Sequence, residues 1–350
     1  MVRNPNHDSV VTIKDVAVRA GVSVATVSRV LTGKAHVRSV VRERVQQAAT
    51  ALSYRPNRMA RNFRTRRSQF IGLIISDIEN PFYTSMVRAI EDATYAEQYS
   101  LLLCNSDEDP GKEQVYIEFM RDEHVAGVIA SPTEEATTSL QSLLDAGIPV
   151  VAIDRRSTKT PVDTILLDHV KSSHELAKHL IEHGHRRIGA IIGVPTSTSG
   201  HERMSGFRRA LEEAGIAVDE QLIRVVKPTE ETGYAAARDL MSMAQPPTAL
   251  FTGNNLLTVG ALKALHTLGL SIPKDVSLVG HDELPWMSLL APGITVAAQP
   301  IYEMGKQAVE MLLARIQGDK QPIREVRLDP RLIIRQSCAK VLPIDIQIEK

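Results

Sequence analysis

Only two cysteines, Cys104 and Cys338, occur in the 350 residues, and no paired spacing links them. Both lie in apolar or strand-like surroundings, which favours buried thiols over a disulfide or a metal site. No run approaches 18 apolar residues, so no membrane-spanning helix and no membrane partner are expected. Residues 1–11 are polar and lack the apolar stretch of a signal peptide, which points to a cytoplasmic protein. Low-complexity segments and short repeats are also missing. Net charge is zero, with 41 Lys and Arg against 41 Asp and Glu. That balance conceals an asymmetry. Residues 1–68 hold 14 basic and 3 acidic side chains, a net of +11, so the remaining 282 carry −11. A basic head on an acidic body is an electrostatic footprint of nucleic-acid binding.

What is present begins with residues 12–31, TIKDVAVRAGVSVATVSRVL. Thr12 can cap a first helix, and Asp15 puts negative charge in its first turn. Val16, Ala17 and Ala20 share one face. Gly21 allows the left-handed backbone that ends the helix, and Ser23 can cap a second one. Ala17 and Val27 then meet across the turn, where a small residue lets the helices cross closely. This is helix-turn-helix geometry, whose second helix enters a DNA major groove. The alternative is an ordinary helical hairpin in a core. A third helix is predicted over about 39–53, with Val41, Val45, Ala48, Ala49 and Leu52 inward. Asn57 can cap a short basic helix, 58–64, in which Arg58, Arg61 and Arg64 repel one another. Two turns of helix are marginal in water, so this segment is expected to order on DNA.

The length suits two or three domains. From Phe70 the pattern changes to apolar runs separated by amphipathic stretches. Residues 70–75, 100–104, 127–130, 149–153, 188–192, 248–251 and 276–279 read as buried strands, and 81–97 and 111–123 as helices. Near-continuous apolar strands of this kind imply parallel sheets covered on both faces.

Taken together, TIKDVA (12–17) through TVSR (26–29), YRPN (54–57), NPFY (80–83), GHRRIG (184–189), RMSGF (203–207) and Gln299-Pro300 make the chain resemble the LacI/GalR family of bacterial transcription regulators over essentially its full length. That resemblance implies an all-α helix-turn-helix head at 11–56, a hinge helix or linker at 57–68, and an α/β two-lobed periplasmic-binding-protein-like body at 69–340. The lobes would be about 69–168 plus 300–328, and about 169–299 plus 329–340, with a tail at 341–350. The tail has no sustained heptad, which predicts a homodimer on a palindromic double-stranded operator, not a zipper-linked tetramer. The family makes repression the default.

Carried over position by position, Val24, Ala25 and Arg29 would read bases. Arg29 can donate two bonds to a guanine, or else hold a phosphate; Val24 and Ala25 can touch a thymine methyl. Thr12, Ser23, Thr26 and Ser28 suit caps or phosphate contacts, and Asn57, Arg61 and Arg64 suit the hinge. Phe63 stands where the family usually places a leucine wedge. It can unstack a minor-groove step or pack between two hinge helices.

Binding proteins of this architecture hold a small ligand outside the carboxyl ends of the strands. By resemblance, Phe82, Tyr83, Asp154, Arg155, Arg203, Asn254, Asp282 and Gln299 would line that site. Trp286 would close one side or belong to the core. Aromatics cover sugar ring faces, while carboxylates and arginines bond the hydroxyls. Asp154 with Arg203 can alternatively form a structural ion pair. Asn255 stands where an aspartate is common, and His281 where an aromatic is. The loop Pro195–Ser199 lacks an arginine used by purine-binding members. A monosaccharide effector such as a pentose is expected, with a hexose, polyol, sugar phosphate or nucleoside-like ligand as alternatives. No cofactor and no metal are called for. A sugar-binding transport protein would lack the basic head. An enzyme is disfavoured, because Gly189–Gly193 has the wrong glycine spacing for a phosphate loop and no nucleophile elbow surrounds Ser197 and Ser199.

Overall fold

A computed structural model describes residues 11–31, 37–54, 68–135 and 137–341. The chain divides into two units, Met1–Arg67 and Ser68–Lys350. The hinge residues Asn57, Arg61, Phe63 and Arg64, and the tail beyond 341, lie outside the described residues.

The first unit holds α1 (Ile13–Ala20), α2 (Val24–Leu31) and α3 (Ser39–Ala51). The Asp15 carboxylate accepts from both the backbone N–H and the hydroxyl of Thr12, at 2.8 and 2.7 Å. Gly21, at φ +62°, ends α1 with its N–H on the Ala17 and Val18 carbonyls. The Ser23 hydroxyl accepts from the Thr26 N–H and opens α2. Val16, Ala17, Ala20, Val27, Val45, Ala48 and Ala49 bury into one small core.

The second unit contains two six-stranded sheets. The first lobe is built from β1 (Phe70–Ile75), α4 (Pro81–Ala96), β2 (Ser100–Asn105), α5 (Pro110–Asp122), β3 (Gly127–Ala130), α6 (Gln141–Asp145), β4 (Val150–Ile153) and β5 (Asp163–Leu167). The second follows with α7 (His169–Glu182), β6 (Ile188–Gly193), α8 (Thr198–Glu213), β7 (Ile223–Val226), α9 (Glu230–Met241), β8 (Ala249–Thr252), α10 (Asn255–Thr267), β9 (Ser277–His281) and β10 (Thr295–Ala298). The chain then returns to the first lobe for α11 (Ile301–Ile316) and β11 (Glu325–Leu328), and crosses again for β12 (Arg331–Ile333).

Strand order is β2-β1-β3-β4-β5-β11 in one sheet and β7-β6-β8-β9-β10-β12 in the other. Each new strand is added in the same sequence, so the two lobes share one topology. The sheets are parallel as expected, with one antiparallel pairing, the edge strand β12 against β10; an antiparallel edge strand on such a sheet is common. β3, β4 and β5 are buried along their whole length, as strands covered on both faces must be. Ile71, Leu73, Ile129, Val151 and Ile165 pack under α4 and α11, while Ile191, Leu250, Leu278 and Val296 pack under α9 and α10. Each side chain of this size stabilises the fold by about 1.5–3 kcal/mol when fully buried. The result is two rigid platforms whose strand ends face a shared crevice.

Candidate functional site

The head presents the first candidate surface. Val27 is buried against α1, so the opposite face of α2 looks outward. Ala25 and Arg29 are exposed there, with Val24, Thr26 and Ser28 half-buried beside them. Thr12 and Ser23 lie exposed at the two helix starts. The seven described head positions therefore share one motif, which projects short side chains and one guanidinium.

In the body, a cleft of about 230 Å³ opens between the carboxyl ends of the two sheets. It is smaller than the roughly 300–1,000 Å³ typical of sites for drug-sized ligands, which suits a compact polar molecule. Helix starts frame it. The Asn80 amide oxygen accepts from the Phe82 N–H at 3.0 Å, Pro81 opens α4, and this turn delivers Phe82 and Tyr83 to the wall. Asn254 caps α10 by accepting from the Leu257 N–H. The Asn255 amide donates to Asn80 Oδ1 at 2.8 Å, which ties one lobe to the other.

Two carboxylates occupy corresponding places. Asp154 follows β4 and Asp282 follows β9, the fourth strand of each sheet, and both adopt left-handed backbone at φ +65° and +70°. Each backbone N–H bonds the next strand, Asp154 to Ile165 O and Asp282 to Ala297 O, both at 2.9 Å. Turning left-handed aims each carboxylate off the strand end into the crevice. Asp154 Oδ2 accepts from the Tyr83 hydroxyl at 2.9 Å. Asp282 accepts from Gln299 Nε2 at 2.6 Å and from the Asn255 N–H at 3.3 Å.

Two arginines complete the floor. Arg155 donates both terminal nitrogens to Glu108, at 2.7 and 2.6 Å. Arg203 donates to the Gly253 carbonyl and to His169 Nδ1, and its Nη2 lies 3.8 Å from Asp282 Oδ1. Burial raises the Asp154 carboxyl above its ordinary range, although Arg155 and Arg203 oppose the shift. Burial also pushes the Tyr83 phenol well up. His169 and His281 are held well below the ordinary imidazole range by burial, reinforced by Arg203. Both are therefore neutral at pH 7. Four buried polar atoms around the cleft lack a hydrogen-bond partner: Arg155 Nε, His169 Nε2, Asn255 Oδ1 and Gln299 Oε1.

Phe82, Tyr83, Asp154, Arg155, Arg203, Asn254, Asp282 and Gln299 all line this cleft. Trp286 does not. It sits in a short 3₁₀ turn, Pro285–Ser288, and packs on the core of the second lobe, because its large apolar face is better buried there than at a polar rim. Asp107, Glu108 and Lys227 also line the cleft and escaped notice in the sequence. Asp107 and Glu108 follow β2 and obey the same strand-end rule as Asp154. Lys227 follows β7, a half-exposed edge strand with no apolar run to betray it. Cys104 and Cys338 are both free, and burial moves the Cys338 thiol up to about 11. Among the described residues, no group of three or more ligating side chains is placed to hold a metal ion, and no helix is long and apolar enough to cross a membrane.

Residues 12–57 match the family described as bacterial regulatory proteins, lacI family, and residues 177–338 match a periplasmic binding protein-like domain. Over 330 residues the chain is 35% identical to the HTH-type transcriptional repressor PurR of Pectobacterium carotovorum subsp. carotovorum (strain PC1), covering 94% of this chain and 97% of that one. A lac repressor dimer bound to operator and the anti-inducer ONPF matches with a TM-score of 0.84 at 25% identity, over 94% of this chain and 99% of that chain. A LacI family transcriptional regulator from Enterococcus faecium with bound ribose matches with a TM-score of 0.70 at 29% identity, over 78% and 100%.

Proposed function

The chain belongs to the lacI family of bacterial regulatory proteins, and from that premise we propose that it is a dimeric repressor of a palindromic operator whose effector is a monosaccharide, an aldopentose first. In this reading α2 enters the major groove, with Arg29 on a base edge and Val24 and Ala25 against a thymine methyl. Thr12, Ser23, Thr26 and Ser28 supply caps or phosphate contacts. Arg61, Phe63 and Arg64 remain part of the proposal through the resemblance alone.

The observation that carries the effector assignment is the pairing of Asp154 and Asp282 at the ends of corresponding strands, with Arg155, Arg203, Asn254 and Gln299 between them and Phe82 and Tyr83 on one wall. Carboxylates accept from sugar hydroxyls, arginine and amide N–H groups donate to them, and aromatic faces cover the apolar side of the ring. A ligand held by both lobes changes the angle between them. It then alters operator affinity, and the operator alters ligand affinity by the same factor. The bound ribose in the Enterococcus faecium regulator supports a pentose. The identity to PurR favours a nucleobase-like effector as a second reading.

The test is thermal stability of the purified protein against pentoses, hexoses, polyols, purines and sugar phosphates. A ligand at about 100 times its dissociation constant stabilises the fold by about 2.7 kcal/mol. A selective shift with a pentose supports the first reading. A shift only with a purine replaces it.

A further inference from the structure

Resting on the small-ligand cleft described above, we propose that Glu108 is a specificity-determining residue, which reserves the cleft for uncharged polyhydroxylated effectors and bars their phosphorylated forms. Arg155 and Arg203 are the guanidiniums that a phosphate would need, since a planar fork binds phosphate oxygens in pairs. The Arg155 fork is closed. Glu108 Oε1 and Oε2 take the two terminal nitrogens of Arg155 at 2.6 and 2.7 Å. Arg203 is occupied by the Gly253 carbonyl and His169, and it faces Asp282.

Arg155 Nη1 donates in addition to the Pro132 carbonyl at 3.5 Å. Its Nε is buried, has no hydrogen-bond partner, and stands 3.7 Å from Asp154 Oδ2. The Asp154 carboxylate lines the cleft and accepts from a hydroxyl, which carries a proton to donate. A phosphate dianion carries no proton for Asp154 and is repelled by it. The surroundings reinforce this choice. The cleft is lined by Asp77, Glu79, Asp107, Glu108, Asp154 and Asp282, against Arg155, Arg203 and Lys227. The loop that brings Glu108 in is specialised as well, because Asp107 and Glu108 are successive non-glycine residues at φ +53° and +58°. Such backbone persists only where its surroundings hold it, and here the Glu108 N–H on the Ser76 carbonyl, the Asn105 and Lys112 contacts of Asp107 and the two-point grip on Arg155 all tie the loop down.

Isothermal titration of the full-length protein with D-ribose, D-ribose 5-phosphate, D-glucose and D-glucose 6-phosphate tests this. The wild-type protein is expected to prefer a neutral sugar over its phosphate by about a hundredfold, the repulsive element being built into the site. Glu108→Gln removes the charge and one of the two acceptors that hold the guanidinium. It is expected to narrow that ratio by about tenfold, through a gain in phosphate affinity. Asp107→Asn removes the same charge from the same loop but leaves Arg155 clamped, and should narrow the ratio by less than about threefold, an exposed charge being screened. Circular dichroism verifies that each variant folds. An unchanged ratio in Glu108→Gln, or an equal change in Asp107→Asn, overturns the role of Glu108. Should Glu108→Gln not fold, the wild-type ratio decides, and a phosphate bound as tightly as its sugar refutes the proposal. Failure of both neutral sugars to bind instead overturns the monosaccharide reading beneath it.

Discussion

Asp154 and Asp282 are left-handed residues with side chains, and each conformation of this type costs about 1–3 kcal/mol. The two lobes bear that strain at the same topological position, where it aims both carboxylates into the cleft. Substituting Asp282→Asn keeps the shape and an acceptor for the Asn255 N–H but removes the charge. Hydrogen bonds to charged groups contribute about 1.5–3 kcal/mol, so effector affinity should fall about ten- to a hundredfold while operator binding survives. Titration of effector and operator separately checks this, and loss of both would make Asp282 a structural residue. The histidines give a second prediction. His169 and His281 lie well below the ordinary imidazole pKa, and His179 and His185 are lowered too, burial being the main cause in each. A depressed histidine contributes stability that is complete above the unfolded value of about 6.5 and is lost as pH falls toward the folded value. The raised Asp154 acts in the opposite sense, but four groups stand against one. Urea midpoints should therefore drop between pH 7.5 and 5. A flat profile would mean that these imidazoles are hydrated in solution.

At the scale of elements, what could be read from the sequence follows unbroken apolar runs. β1, β3 and β4 are buried from end to end or nearly so, and their unbroken apolar runs announce them. β7, β11 and β12 are edge strands with half-exposed positions, so Glu325-Val-Arg-Leu328 and Arg331-Leu-Ile333 show no such run. β5 is central, yet it opens on Asp163, whose carboxylate is held by Arg315 at 2.8 and 2.9 Å from far along the chain; no local pattern encodes that partner. The candidate cleft was legible where residues follow recognisable strands. Glu108 follows a recognisable strand too, but its pairing with Arg155 from far along the chain has no local pattern, and Lys227 follows a strand that has no apolar run. Helix crossings carry their own signal in glycine. At Gly260 in α10, an added Cβ would fall against the Glu230 carbonyl and 2.5 Å from the Tyr234 nitrogen of α9. Backbone cannot yield as a side-chain tip does, so Gly260→Ala should cost at least the 1–3 kcal/mol of ordinary overpacking. A thermal melt that hardly moves would show that α9 and α10 can separate without loss.

For the whole molecule, the segregation of charge separates two functions that must nevertheless communicate. Residues 1–68 carry +11 and the rest −11. Duplex DNA releases counterions when phosphates are neutralised, and log K falls by about 0.9 per contact against log salt. Six or more phosphate contacts would lower operator affinity by about a thousandfold or more between 50 and 200 mM salt. The acidic body adds repulsion to any duplex that approaches it without engaging the head, which sharpens the preference for the head's own surface. A neutral sugar in a cleft lined by paired charges releases no such counterions. Its affinity should change by less than about twofold over the same range, since short-range bonds are little screened. Linkage adds a constraint: the factor by which sugar alters operator affinity must equal the factor by which operator alters sugar affinity at each salt concentration. Titrating each ligand alone and then in the presence of the other, at both salt concentrations, closes that cycle. Salt dependence confined to the DNA steps places operator recognition in the basic head and effector recognition in the body. A sugar affinity that fell as steeply as the operator's would instead require a charged ligand in the cleft, and would remove the monosaccharide from consideration.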